Sequence, residues 1–89
     1  MYTYIDGAVI HTKRELQDVL RRELPLPEWY GGNLDALYDC LTEFEEDVHI
    51  IVVNREALEE SLGRYAVSLF RMLTDAAEEN PAVRIYGLR

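Results

Sequence analysis

Asp35 and Asp39 stand one helical turn apart in the stretch Leu24–Phe44, with Trp29, Tyr30, Tyr38 and Phe44 close by in sequence. Paired carboxylates beside aromatic rings serve two kinds of chemistry: proton transfer within a pair of split pKa, or recognition of a cationic partner. The element that carries them decides between the two. Asn33 is an N-cap candidate for a helix from about Leu34 to Thr42. Leu34, Leu37 and Leu41 recur at i, i+3 and i+7 with Cys40 beside them, which defines a buried stripe. At about 100° per residue, Asp39 falls almost opposite that stripe, flanked by Asp35 and Tyr38. The helix dipole favours Asp35 near the N-terminus; Asp39 gains little from it and repels Asp35 at a cost of roughly 0.2–0.5 kcal/mol. No Lys or Arg at the next helical positions relieves that repulsion. A solvated helix face is the plain explanation, and a surface made for a cationic partner is the functional one.

Exposed carboxylates on a convex helix lack the desolvated pocket that separates two pKa values, which argues against an acid/base pair. Cys40 lies on the apolar side of its helix, the position of a buried, inert thiol rather than a nucleophile. His11 and His49 are far apart in sequence and have no metal-ligand spacing, so structural or surface roles are expected. No glycine-rich phosphate loop, paired-cysteine site or nucleophile elbow is present. Neither a cofactor nor a metal is expected, and the chain is not expected to be an enzyme. Recognition remains, with aromatics as the usual anchors of an interface. Tyr30 and Phe44 are the candidates for closing the core, Trp29 and Tyr38 for exposure.

The charge supports that direction. Of the net charge of −8, residues 1–24 contribute 0, residues 25–50 contribute −7 and residues 51–89 contribute −1. The middle segment carries Glu28, Asp35, Asp39, Glu43, Glu45, Glu46 and Asp47 and no Lys or Arg. Phosphate backbones need Lys and Arg, so direct nucleic-acid binding is not expected. A basic protein surface is the natural counterpart.

The flanking elements follow from pattern. At 89 residues, with 48% apolar and 29% charged side chains, the chain is expected to form one domain over residues 1–89. No apolar run approaches the length of a membrane span, the N-terminus lacks a basic-then-apolar leader, and the single cysteine fits a reducing cytosol. Tyr2 to Ile5 reads as a short strand ended by Asp6-Gly7. Thr12-Lys13-Arg14-Glu15 has capping-box spacing and starts a helix with Leu16, Val19, Leu20 and Leu24 on one face. Pro25 and Pro27 stiffen the loop that follows, and Gly31-Gly32 permits a turn with positive φ. Val48–Val53 is uniformly apolar and reads as a central strand buried on both faces. Asn54 is expected to cap a short helix containing Leu58 and Leu62 that Gly63 ends or bends. A longer helix follows, with Ala66, Leu69, Phe70, Leu73 and Ala77 inward and Asp75 on the opposite side, stopped by Asn80-Pro81. Ala82–Tyr86 is the last strand. The expected fold is α/β: four helices and a small three-stranded parallel sheet in the order βααβααβ, with right-handed crossovers.

The run Leu24-Pro25-Leu26-Pro27-Glu28-Trp29-Tyr30-Gly31-Gly32-Asn33-Leu34-Asp35-Ala36-Leu37-Tyr38-Asp39-Cys40-Leu41-Thr42 resembles the signature of the barstar family, intracellular inhibitors of bacterial ribonucleases of the barnase type. The resemblance covers the whole chain. It is strongest over Leu20–Phe44 and weakest over Asn54–Ser68, where this chain runs slightly shorter. It implies a cytoplasmic monomer that plugs the active-site cleft of an extracellular or toxin ribonuclease as a 1:1 heterodimer. Asp39 would stand in the place of an RNA phosphate with Asp35 assisting, while Trp29 and Tyr38 match aromatic contact positions. Asn33, Thr42, Phe44 and Glu46 match neighbours of the interface, and Asp75 and Glu79 match acidic positions on the final helix. Departures bear on which nuclease is bound: Trp29 where tyrosine is frequent, Tyr38 where tryptophan is frequent, Glu43 for a small residue, and Asp75 for a glutamate. The alternative is a barstar-like acidic binding module with a basic partner that is not a nuclease.

Overall fold

In the computed structural model, which describes residues 1–88, the chain runs β1 (Tyr2–Asp6), α1 (Lys13–Glu23), α2 (Leu34–Glu43), β2 (Val48–Val53), α3 (Arg55–Leu62), α4 (Arg64–Glu79) and β3 (Val83–Tyr86). The three strands form one parallel sheet in the order β1-β2-β3. Tyr2 pairs with His49 and Val48 with Val83, so β2 is the central strand, as expected from its composition. The fold is the α/β arrangement read from the sequence.

Burial of β2 differs from the expectation. Val48, Ile50 and Val52 are buried, whereas His49, Ile51 and Val53 are half-buried, because the core occupies one face of the sheet and the other is partly open. On the open face Tyr2 and Tyr4 are exposed, and the rings of Tyr2, His49 and Tyr86 stack with centroids 4.6 and 5.8 Å apart. His49 Nδ1 lies 2.9 Å from the Tyr86 hydroxyl. A run of apolar residues records β preference and shielding by such neighbours; it does not by itself reveal a second covering layer.

The helices start where side chains satisfy their free N–H groups. Thr12 Oγ1 accepts from the Glu15 N–H at 3.1 Å, and Glu15 Oε1 accepts from the N–H groups of Thr12 and His11 at 3.1 and 2.8 Å. This is the capping box expected from the spacing. Asn54 departs from its expected role. It adopts the left-handed conformation at φ 53°, makes no side-chain cap, and donates from Nδ2 to Asp6 Oδ1 at 2.7 Å. That bond and the Ala8 N–H hold the Asp6 carboxyl below its ordinary pKa. The approach of α3 to β1 is close enough that a Cβ on Gly7 would fall 2.1 Å from the Asn54 carbonyl oxygen.

The core joins Ile5 and Ile50 of the sheet with Leu16 and Leu20 of α1, Leu37 and Leu41 of α2, Leu58 of α3, and Leu69 and Leu73 of α4, all with essentially no exposure. Burying such side chains supplies about 1.5–3 kcal/mol each before the entropy of ordering is subtracted. α2 packs chiefly against α4, and that packing positions the site. No helix among the described residues is long and apolar enough to cross a membrane.

Candidate docking face

The site is built on α2. Asn33, extended at φ −133° and ψ 168°, accepts from the Ala36 N–H at 2.8 Å through Oδ1 and so fixes where the helix begins. Before it, Gly32 has φ +72°, and a Cβ there would meet Arg21 Nη2 at 2.6 Å. Of the two glycines, this is the one at which the turn requires positive φ. With its start fixed, α2 turns Leu37, Cys40 and Leu41 into the core, and Leu34 packs partly buried against it. Asp35 and Asp39 are left exposed on the outer side, where the periodicity put them.

The aromatics divide as follows. Tyr30 is buried and Phe44 half-buried against the core, while Trp29 in the loop is 77% exposed. Tyr38 is half-buried rather than free, since it packs against the core. Its phenol is pushed above the ordinary tyrosine pKa, first by desolvation and then by the carboxylates of Glu79, Asp75 and Asp39. Tyr38 therefore lies in the joint field of acids from two helices. Burial also pushes Tyr30 up to about 12, with Tyr65 adding to the rise and the Gln17 hydrogen bond and Arg21 opposing it.

Asn80 brings the C-terminal ends of α2 and α4 together. It is buried, and its Nδ2 donates to the carbonyl oxygens of Leu41 and Phe44 at 2.9 and 2.8 Å, while Oδ1 accepts from the Ala82 N–H at 3.0 Å. One side chain thus ties the end of α2 to the start of β3 at the point where α4 stops. Asp75 and Glu79 are exposed on α4, and Glu46 is exposed in the loop after α2. Thr42 is half-buried, with Oγ1 donating back to the Asp39 carbonyl at 3.1 Å. Burial raises the Cys40 thiol pKa, and Glu43 and Asp39 raise it further, as suits a buried and unreactive group.

Two residues that matter locally were not singled out from the sequence. In sequence, Asn80 reads only as a helix stop before Pro81. Gln17 is buried beside Leu16 and Leu20, and its place within the apolar stripe of α1 was the available signal.

Among the described residues the acids of this face form no ion pair. The ion pairs among the described residues are Arg22–Glu23 and Arg55–Glu59, and neither involves an acid of residues 25–50, Asp75 or Glu79. Surface recesses border parts of this face: one is lined by Pro25, Phe44, Glu46 and Asp47 among others and another takes in Asp75 beside Arg71, while two more lie by Asn54, Arg55 and Gly87 and by Thr74, Glu78 and Tyr86. None of the four includes Asp35 or Asp39. Among the described residues no group of three or more His, Cys, Asp or Glu side chains is arranged to hold a metal ion. An acidic helix face with an exposed tryptophan beside it, on a small α/β scaffold, is a candidate protein-docking face.

The class can be narrowed. Residues 1–86 match the sequence profile of the family described as Barstar (barnase inhibitor), and the chain belongs to that family. It is also 37% identical over 76 residues to a Bacillus subtilis (strain 168) protein named "Putative ribonuclease inhibitor YrdF", with 84% of each chain covered.

Proposed function

We propose that this protein is a non-catalytic, cytoplasmic inhibitor that blocks a barnase-type ribonuclease, extracellular or deployed as a toxin, by laying α2 and the loop before it across the active-site cleft. Asp39 takes the place of an RNA phosphate, with Asp35 beside it. Asp75 and Glu79 meet basic residues at the rim. Trp29 and Tyr38 supply the packed aromatic surface, and Asn33, Thr42, Phe44 and Glu46 complete the contact. The free protein is a monomer and the complex is 1:1.

One observation carries this reading. Asp39 on α2 and Asp75 and Glu79 on α4, the helix packed against it, are exposed, and none has a cationic partner among the described residues. Like charges held together cost stability. The cost is offset when a cationic cleft supplies charge-assisted hydrogen bonds in a desolvated interface. A ribonuclease cleft must hold cationic groups to bind phosphate, so it offers that complement. Because Asn33 and Asn80 fix both ends of α2, its carboxylates need little ordering on binding. Concentrated negative charge also accelerates encounter with a basic surface, an effect for which the barnase–barstar pair is itself the standard example.

The test is to titrate the protein into a barnase-type ribonuclease while following RNA cleavage at low and at moderate salt. Stoichiometric loss of activity, with association slowing as salt rises, is the expected result. Undiminished cleavage at excess protein would refute the ribonuclease reading and leave the same face to a basic partner of another kind.

A further inference from the structure

We infer that Gln17, on α1 and away from the acidic face, is a positioning residue that locks the recognition loop through Tyr30. The identity of the partner rests on the ribonuclease reading above, whereas the tie itself is a property of the free chain. Tyr30 ends the Pro-stiffened segment and lies three residues before the cap of α2. Its hydroxyl donates to Gln17 Oε1 at 2.6 Å and lies 3.3 Å from the Asn33 carbonyl oxygen. A phenol has one proton, so the short contact to Gln17 is the main bond and the contact to Asn33 the weaker one.

With Oε1 accepting, the amide of Gln17 turns Nε2 towards Tyr65 and donates to its hydroxyl at 3.0 Å. The chain Tyr30–Gln17–Tyr65 therefore needs, at its centre, one side chain that accepts on one side and donates on the other. Glutamine does both without bringing a charge into the interior. Gln17 and Tyr30 are 6% and 5% exposed, so water is a poor substitute for either. Arg21, one turn after Gln17, adds a second layer. Its guanidinium carbon lies 5.3 Å from the centre of the Tyr30 ring, and its Nη2 closes on the space beside Gly32.

The loop has few other anchors. Within residues 25–33 the backbone bonds run from Leu26 N–H to Leu24 and from Tyr30 N–H to Pro27, both local. Among the described residues, the Tyr30–Gln17 bond is the one hydrogen bond joining this loop to another element, α2 apart. A loop that samples other arrangements binds with an affinity reduced by the fraction of time it spends in the competent one. Gln17 acts on recognition by keeping that fraction high, and it does so without touching the partner.

The test uses the full chain in four forms: wild type, Gln17→Met, Tyr30→Phe and the double variant. Methionine keeps length and removes both polar functions; phenylalanine keeps the ring and removes only the hydroxyl. Urea denaturation first establishes a temperature at which all four are folded. In the free proteins, amide hydrogen exchange at Tyr30 and Ala36 is expected to speed up about tenfold in either single variant, while exchange at Ile50 in the central strand is unchanged. Inhibition of a barnase-type ribonuclease is expected to weaken about tenfold in each single variant and no further in the double, because both substitutions break the same Tyr30–Gln17 bond and the bond to Tyr65 that Gln17→Met also removes does not reach the loop. Loop exchange equal to wild type in both single variants overturns the tie. Loosened loop exchange with undiminished inhibition overturns the positioning role, as do additive losses in the double variant. Failure of the wild type to inhibit refutes the ribonuclease reading by itself, and the exchange measurement then still decides the tie.

Discussion

Replacing Asn80 by alanine separates the ends of the two acidic helices. The structure sets the size of the effect. Asn80 makes three side-chain hydrogen bonds, two donated from Nδ2 to Leu41 and Phe44 and one accepted from Ala82, at 2.8 to 3.0 Å. Each such bond contributes about 1 kcal/mol net, and a buried group left without a partner costs about 1–3 kcal/mol. Leu41 is fully buried, whereas Phe44 and Ala82 are partly accessible and can turn to water. The loss expected is therefore about 2–3 kcal/mol, a large share of the roughly 5–15 kcal/mol that holds a domain together. For a chain of this size that corresponds to a fall of about 10–20 °C in Tm. Urea unfolding followed by circular dichroism reads it as a lower midpoint at unchanged slope. Asn80→Asp keeps the acceptor for Ala82 but turns a carboxylate onto two carbonyl oxygens, so it should be no more stable than the alanine variant at neutral pH. A loss below about 1 kcal/mol for Asn80→Ala, or rescue by aspartate, would refute the clamp.

Three further perturbations test the charge, the cap and the buried phenol. Asp39→Ala relieves the repulsion with Asp35, so unfolding should become harder by about 0.2–0.5 kcal/mol while ribonuclease inhibition collapses; a clear loss of stability would contradict the charge argument. Asn33→Ala removes the side-chain cap of α2 and should cost about 1 kcal/mol in denaturant unfolding, with Asn33→Ser recovering most of it. The Tyr30 phenol is raised to about 12 in the folded state from 10.0, so the unfolded chain ionises first. Stability from this group is complete below pH 10 and falls as pH rises towards 12, by at most about 3 kcal/mol; Tyr30→Phe should flatten that part of the profile.

Local rules carried much of the structure into the sequence. The capping box at Thr12–Glu15, the cap at Asn33 and the spacing of Leu37 and Leu41 act over a few residues, so their helices and their outward faces were legible. Asp35, Asp39 and the exposed Trp29 were placed correctly for the same reason. Long-range pairings were not legible. Gln17 finds Tyr65 at 48 residues' separation, and Asn80 finds Leu41 at 39. Asn54 has the side chain of a cap, yet its bond to Asp6 across 48 residues holds it in a left-handed turn instead. Tyr38 reads as an outward residue by helical angle, yet it is half-buried against the core. The open face of β2 was hidden by a composition that suits either one or two covered faces.

Asp39 in the place of an RNA phosphate is the central claim, and competition tests it most directly. The affinity of the protein for a barnase-type ribonuclease is measured at rising concentrations of a mononucleotide that occupies the enzyme's phosphate site. The account predicts an apparent Kd that rises in proportion to nucleotide once the site is filled, an effect that vanishes for what binding Asp39→Ala retains. Binding that is indifferent to the nucleotide would contradict phosphate mimicry and move the contact away from the active site.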